Sequence, residues 1–217
     1  MPVAVALSGG ADSLLALSLL QEQGYSPAAV HASLWGPRSR ERQVQDQLAA
    51  VCAQMGVQFH CLDLRRVFDR QVVQPFIRGY ARGLTPNPCA WCNRRIKFGA
   101  LMQAIRSLGL SRTATGHYAE LVLNCPSPPG LFRGQDKNKD QSYFLALVPR
   151  EQLAAALFPL AGWSKDQVKT ELAKRGLRPV SGRESQEICF IPDNDYRAFL
   201  EAQDISMPGG GKIIDHQ

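Results

Sequence analysis

"VAVALSGGADS", residues 3–13, decides the fold. Its first five residues are apolar and include two valines, which suits a short strand buried on both faces. Ser8, Gly9 and Gly10 break that run, and "ADSLLALSLLQEQG" then reads as a helix stopped at Gly24. A strand that turns through glycine into a helix is an anion-binding device. The glycines let the backbone approach phosphates, and the free N–H groups at the positive end of the helix face them. Ser8 and Ser13 add hydroxyl donors, and Asp12, a poor phosphate neighbour alone, is read as holding a Mg2+ that bridges to the phosphates. No Gly-Lys-Ser/Thr follows, which excludes a Walker loop. No acidic residue closes the second strand, which argues against a dinucleotide-binding dehydrogenase. The plain alternative is a tight turn that only needs glycine.

Outward from this stretch the pattern alternates. Residues 27–35 and 57–62 read as further buried strands, and 112–117 as a strand ending in Gly-His. Val44, Leu48, Val51, Cys52 and Met55 fall on one face of a helix, as do Phe68, Val72, Phe76 and Tyr80 on the next. Residues 94–109 give another helix. Alternating strands and helices predict an α/β fold: a parallel twisted sheet with helices on both faces, whose ligand sits beyond the C-terminal strand ends. "SGGADS", the segment near Ala32 and "TGHY" all belong to that edge. Beyond Gly116 the pattern weakens. "CPSPPG" (125–130) reads as a hairpin tip, "DQSYFLALV" and "REQLAAAL" as helical, and 164–176 as a helix with Ser164 and Gln167 at capping-box spacing. A last short helix over 194–203 completes a small, mostly helical C-terminal extension. Residues 1–200 are read as one domain and 201–217 as a tail.

The 217 residues suit one domain with a small appendage, and a hydrophobic fraction of 45% suffices for a packed core. No apolar run approaches the roughly 20 residues of a membrane span, and the N-terminus lacks a signal peptide's pattern, so a soluble cytoplasmic protein with no membrane partner is expected. The net charge of +6 comes in local groups such as Arg94, Arg95 and Lys97, which fits either a polyanionic partner or a solvated basic surface.

"TPNPCAWCN", residues 85–93, places Cys89 and Cys92 three apart in what reads as a loop. In a cytosolic chain such a pair more often means metal or catalysis than a disulfide. Arg94, Arg95 and Lys97 are expected to lower a nearby thiol's pKa. Cys52 and Cys61 read as core, and Cys125 as part of the hairpin tip. Trp35 and Trp91 are candidates for stacking on bases, Trp91 the stronger because it lies within the cysteine segment.

In order, the chain carries "SGGADS" (8–13), "TPNPCAWCNRRIKF" (85–98), "ATGHY" (114–118), "NKDQSYFL" (138–145) and "ICFI" (188–191). The first resembles the PP-loop of the ATP pyrophosphatases. The five together resemble the tRNA-specific 2-thiouridylase family, from residue 1 to about 214. The resemblance implies a PP-loop, HUP-like fold related to the Rossmann fold. It implies ATP as substrate, Mg2+, and a reaction in which the C2 carbonyl of uridine 34 of a tRNA is adenylated and its oxygen replaced by sulfur. By the same resemblance Ala6, Leu7, Ser8, Gly9, Gly10, Asp12, Ser13, Ala32 and Gly116 meet the nucleotide. Asn87, Pro88 and position 89 meet the target base, while His117, Lys139, Asp140 and Gln141 meet tRNA. Cys92 and the persulfide-bearing Cys189 carry the chemistry. The family is expected to continue into a central domain and a β-barrel, and 201–217 reads as the start of that central domain.

One position departs from the family: Cys89 stands where an Asp is usual. Cys89, Cys92 and Cys189 resemble the three-cysteine set of iron–sulfur tRNA thiolases, so a [4Fe–4S] cluster is one reading. A persulfide relay between Cys92 and Cys189 is a second, and zinc, with three of four ligands, a third. The fourth is that Cys89 is merely tolerated. The sulfur donor would be a cysteine desulfurase, a relay protein or sulfide. The competing functional readings are a PP-loop sulfurtransferase for another RNA base or a small molecule, and a nucleotide-binding subunit or sulfur carrier that needs a partner.

Overall fold

The computed structural model describes residues 1–123, 130–181 and 187–203. Five parallel strands form the main sheet: β1 (Pro2–Ala6), β2 (Ser26–Ser33), β3 (Gln58–Asp63), β4 (Thr113–Ala114) and β7 (Ala156–Leu157), in the order β3-β2-β1-β4-β7. Alternation along the strands sorts the two faces. Val3, Val5 and Ala29 pack with Leu17 and Leu20 of α1 (Ala11–Glu22) and Leu48 and Cys52 of α2 (Arg38–Gln54). Ala4 and Val30 point the other way, onto Leu101 and onto Ile105 of α6 (Met102–Ser107). Helices therefore cover both faces, as expected.

α1 is apolar nearly all round because it is covered twice. Leu14, Leu15 and Leu19 turn from the sheet towards Val168 and Leu172 of α8 (Lys165–Lys174). The predicted capping box of α8 is present: Ser164 Oγ accepts from Gln167 N, and Gln167 Oε1 accepts from Ser164 N. The strand order reverses between β1 and β4, so the turns after these two strands face each other at the switch point where such folds bind ligands.

Several expectations need correction. The cysteine pair is not in a loop. Asn87 Oδ1 accepts from Ala90 N at 3.1 Å, Pro88 occupies the first turn, and Pro88–Cys92 is helix α5. It runs on through a π-helical stretch, Asn93–Leu101, into α6. The Asn-Pro pair is an N-cap followed by a first-turn proline, a signal the reading overlooked. "REQLAAAL" is not all helix: α7 is Arg150–Leu153, and Ala156–Leu157 is strand β7, paired with β4. Tertiary pairing has overridden the helical propensity of the alanine run. "DQSYFLALV" contributes one 3-10 turn, Ser142–Leu145. Cys61 is exposed, because β3 is an edge strand with neighbours on one side only. β5 (Ala119–Val122) and β6 (Gly130–Arg133) form an antiparallel pair, while the expected hairpin tip with Cys125 and the tail from 204 lie outside the described residues.

The helix over 65–81 begins as α3 (Arg65–Phe68), passes through π-helical Asp69–Val73 and ends as α4 (Gln74–Ala81). Its Phe68, Phe76 and Ile77 join Cys92, Phe190 and Phe199 of α9 (Tyr196–Glu201) in one aromatic core. That core is what brings the segment around Cys189 to the cysteine helix, although about a hundred residues separate them in sequence.

Candidate active site

Between β1 and α1 the backbone turns at Gly9, with φ +88°, a conformation glycine adopts freely and other residues do not. Its carbonyl accepts from Ser181 N at 2.9 Å. Ser13 Oγ donates to Gly10 O and lies 3.1 Å from Ser8 Oγ, holding the turn closed. α1 has no side-chain cap, which leaves its N-terminus to whatever anion arrives. Leu7 is buried beneath the turn, Ala6 and Ala32 are half-buried at the strand ends, and Ser8 is exposed. Gly116, after β4, packs so closely on the start of α1 that an added Cβ would lie 2.7 Å from the Asp12 carbonyl carbon.

Asp12 already has partners. Lys165 Nζ donates to its two carboxylate oxygens at 2.7 and 2.8 Å, and Tyr118 Oη donates to Oδ1 at 2.6 Å. Lys165, only 9% exposed, is thus a buried cation at the nucleotide turn. The sequence reading missed it, although a lysine directly after a capping serine was visible. The Asp12 side chain, from which a Mg2+ contact is expected, is thus paired with Lys165 and Tyr118 and is 30% exposed.

His117 follows Gly116 and is 6% exposed. Its Nε2 lies 3.4 Å from Lys97 Nζ, and its Nδ1 lies 2.6 Å from Thr115 Oγ1. The ammonium can only donate, so Nε2 accepts and Nδ1 carries the hydrogen given to Thr115. Burial first, then the Lys97 charge, holds the imidazole well below its usual pKa and keeps it neutral.

Lys97 is also the cation that acts on all three candidate thiols. Burial pushes Cys92 up to about 12, with Lys97 pulling down and the Cys189 and Cys89 thiols pushing up. Cys189 opens to solvent along a cavity of about 340 Å³, yet the protein atoms around its sulfur, then Cys89, push it up to about 11 against Lys97. Cys89 is raised by burial and lowered by Lys97. The expectation of lowered thiol pKa values therefore fails, because desolvation outweighs Lys97, among the described residues the cation that acts on the thiols. Arg94 and Arg95 are exposed; Arg95 donates to Gln71 O and lies over the Trp91 ring.

The three thiols sense one another, but among the described residues no group of three His, Cys, Asp or Glu side chains is arranged to hold a metal ion. A cluster or zinc therefore does not fit the arrangement as it stands. Next to Cys92, Asn93 is buried and donates to Phe144 O at 3.3 Å, and among the described residues its Oδ1 has no partner.

The remaining sequence candidates are placed as follows. Asn87 is exposed and uses its side chain as the cap, while Pro88 is buried. Asp140 accepts from Gly134 N, Ser142 N and Ser142 Oγ, and Gln141 exchanges hydrogen bonds with the Tyr118 backbone. These two side chains shape the loop from within. Lys139 is half-buried beside them, and Arg133, Lys137 and Tyr143 line a cavity of about 650 Å³ there.

Comparison with known proteins fits this geometry. A solved structure titled as the U34-tRNA thiolase NcsA from Methanococcus maripaludis with its [4Fe-4S] cluster shares the fold, with a TM-score of 0.55 at 18% identity over 93% of this chain and 63% of that one. Two curated relatives carry the name tRNA-specific 2-thiouridylase MnmA. The one from Nitratidesulfovibrio vulgaris (strain DSM 19637 / Miyazaki F) is 50% identical over 99% of this chain and 62% of its own length. The one from Acidithiobacillus ferrooxidans (strain ATCC 53993 / BNL-5-31) is 45% identical over 97% of this chain and 60% of its own length. The chain thus spans about three-fifths of the relatives it matches. Residues 1–193 match the model of the family described as tRNA methyl transferase HUP domain, and the chain belongs to that family.

Proposed function

We propose that this chain is the catalytic part of an ATP-dependent tRNA uridine 2-sulfurtransferase acting at position 34. The observation that carries the reading is the pair Gly116–His117. Gly116 packs on the nucleotide turn and His117 touches Lys97, the cation shared by the three thiols, so one dipeptide joins a phosphate-binding turn to a sulfur site. Adjacent thiols favour sulfur transfer over the methyl transfer in the family's description, and the names of the relatives agree.

In this reading ATP lies across the turn, with its phosphates on the α1 N-terminus. The C2 oxygen of uridine attacks the α-phosphate and pyrophosphate leaves. The terminal sulfur of a Cys189 persulfide attacks C2, and AMP departs with the C2–O bonding pair. Cys92, once deprotonated, attacks the Cys189 sulfur and cleaves the bond to the transferred sulfur. That releases the thiolated base and leaves a Cys92–Cys189 disulfide, which a cellular thiol reduces before the donor reloads Cys189. No step passes through Mg2+ or through a [4Fe–4S] cluster. In the same reading Asn87, Pro88 and Cys89 meet the target base, and His117, Lys139, Asp140 and Gln141 meet the tRNA.

The test uses the chain purified without oxygen, assayed with tRNA, ATP and a persulfide donor. AMP release and 2-thiouridine are followed by chromatography and mass spectrometry. Cys189→Ser is expected to keep ATP binding and to lose thiolation by more than about 1000-fold, as removal of a nucleophile does. Wild-type protein that thiolates only with stoichiometric iron and sulfide bound would replace the persulfide by a cluster. Absence of any RNA-dependent AMP formation would overturn the reading.

A further inference from the structure

Trp35 lies two residues beyond the end of β2, on the strand edge that carries the nucleotide turn. Trp91 has its ring beneath the Arg95 guanidinium, 5.5 Å from the centroid, so its stacking surface is partly used. Trp35 is 40% exposed, yet it is not loose. Its ring meets Phe190 at 6.0 Å and Phe199 at 6.3 Å in edge contacts, and Phe190 is the neighbour of Cys189. A rigid, half-open indole is a ready platform for a flat ligand.

Trp35 is also a wall between two cavities. One is the cavity of Cys189. The other, about 540 Å³, is lined by Leu34, Trp35, Pro37, Arg65, Arg66 and Asp69. Its size suits a single nucleotide. Arg65 is half-buried and ion-paired with Asp63 at 3.5 Å, and it lines this cavity. Arg66 is exposed beside it. Asp69 accepts from Gln74 at 3.3 Å and disfavours a bare anion, but it suits a ligand that also offers amino or hydroxyl donors. An indole, two guanidinium groups and an apolar wall together match a base with its phosphate. The cavity lies at the ends of β2 and β3, whereas the nucleotide turn lies between β1 and β4, on the order of 10 Å away at ordinary strand spacing.

We propose that the Trp35–Arg65–Arg66 cavity binds an unpaired nucleotide of the RNA substrate next to the base being modified, with the base stacked on Trp35 and the phosphate on the arginines. This assignment rests on the RNA reading above. The whole chain is titrated with a fluorescein-labelled anticodon stem-loop carrying an unmodified uridine at the target position, and separately with ATP. Trp35→Ala is expected to weaken RNA binding about 10-fold and Trp35→Phe about 3-fold or less. Arg66→Ala, an exposed change that leaves folding intact, should weaken RNA binding and flatten its salt dependence by about one phosphate, roughly 0.7 in the log–log slope. ATP affinity should stay unchanged in all three. Unchanged RNA affinity in Trp35→Ala and Arg66→Ala, beside a wild type that binds, overturns the cavity and leaves the RNA reading standing. Weakened ATP binding with intact RNA binding also overturns it, by making the cavity part of the adenosine site. A wild type that binds no RNA overturns both.

Discussion

The Asp12 charge has its partners. The carboxylate takes Lys165 and Tyr118, Ser13 closes the turn, and Gly116 fills the space behind it. Around Cys92 the opposite holds. Three thiols are raised in pKa, and among the described residues Lys97 is the cation that acts on them and Asn93 Oδ1 is buried without a partner. On the proposed function, the nucleotide end is assembled before its ligand arrives. The sulfur end is held in a protonated, resting state, because burial outweighs Lys97. Such an arrangement protects the thiols from stray oxidation, since reactivity follows thiolate content. It also means that the cysteines need a further event, a bound substrate or an incoming persulfide, before they act.

The preassembled end should break most sharply. In Gly116→Ala the new methyl would stand 2.7 Å from the Asp12 carbonyl carbon and 2.8 Å from Ser13 N, and neither backbone atom can move without shifting α1. We expect a stability loss of about 3 kcal/mol, typical of overpacking. A fall of about 100-fold in kcat/KM for ATP should accompany it, as misplacement of a phosphate-binding turn by a fraction of an ångström would produce. Urea denaturation and steady-state AMP release measure the two. Wild-type kinetics in a folded Gly116→Ala chain would separate the turn from nucleotide binding.

Lys97→Met should act at the other end and more gently. Losing the cation raises the thiol pKa values further, so the thiolate fraction at neutral pH falls. We expect thiolation to drop about 10-fold, the effect of one pKa unit. The activity should be regained at higher pH, with Lys97→Arg recovering part of it. ATP affinity should not change. A pH profile of the transfer step checks this, and a loss that high pH does not relieve would assign Lys97 a purely structural role.

How much of this contrast was legible in the sequence follows from where each interaction comes from. The turn at 8–13 is local: a valine-rich strand, two glycines and a helix in unbroken order, so its place in a parallel sheet could be read directly. The α8 cap was legible for the same reason. Lys165 on Asp12 spans 153 positions and leaves no local trace. Strand β7 was hidden because two residues carry no period, and "AAAL" has helical propensity until β4 offers it hydrogen bonds. The edge position of Cys61 depends on strand order, which alternation cannot reveal. The thiol pKa values were misjudged because sequence shows the charges of Arg94, Arg95 and Lys97 but not the burial that opposes them.

His117 gives the smallest effect and the finest probe, because it belongs to both ends. Its imidazole is held neutral by burial and by Lys97, with its folded pKa well below the usual 6.5. For a group whose pKa is depressed on folding, the unfolded chain takes up the proton first as pH falls. The stability is therefore fully present above about pH 6.5 and is lost as pH drops below it towards the folded value, with a slope of at most about 1.4 kcal/mol per pH unit. His117→Gln removes this titration while leaving an amide able to bond Lys97 or Thr115. Between pH 7.5 and 5.5 the wild type should lose about 1 kcal/mol more than the variant in urea denaturation. Groups common to both proteins, such as the buried His31–Glu41 pair, cancel in that difference. Equal losses would mean that the ring accepts a proton inside the fold. Lys97 would then be repelled from His117 at low pH, and the dipeptide that joins the two ends would itself change with pH.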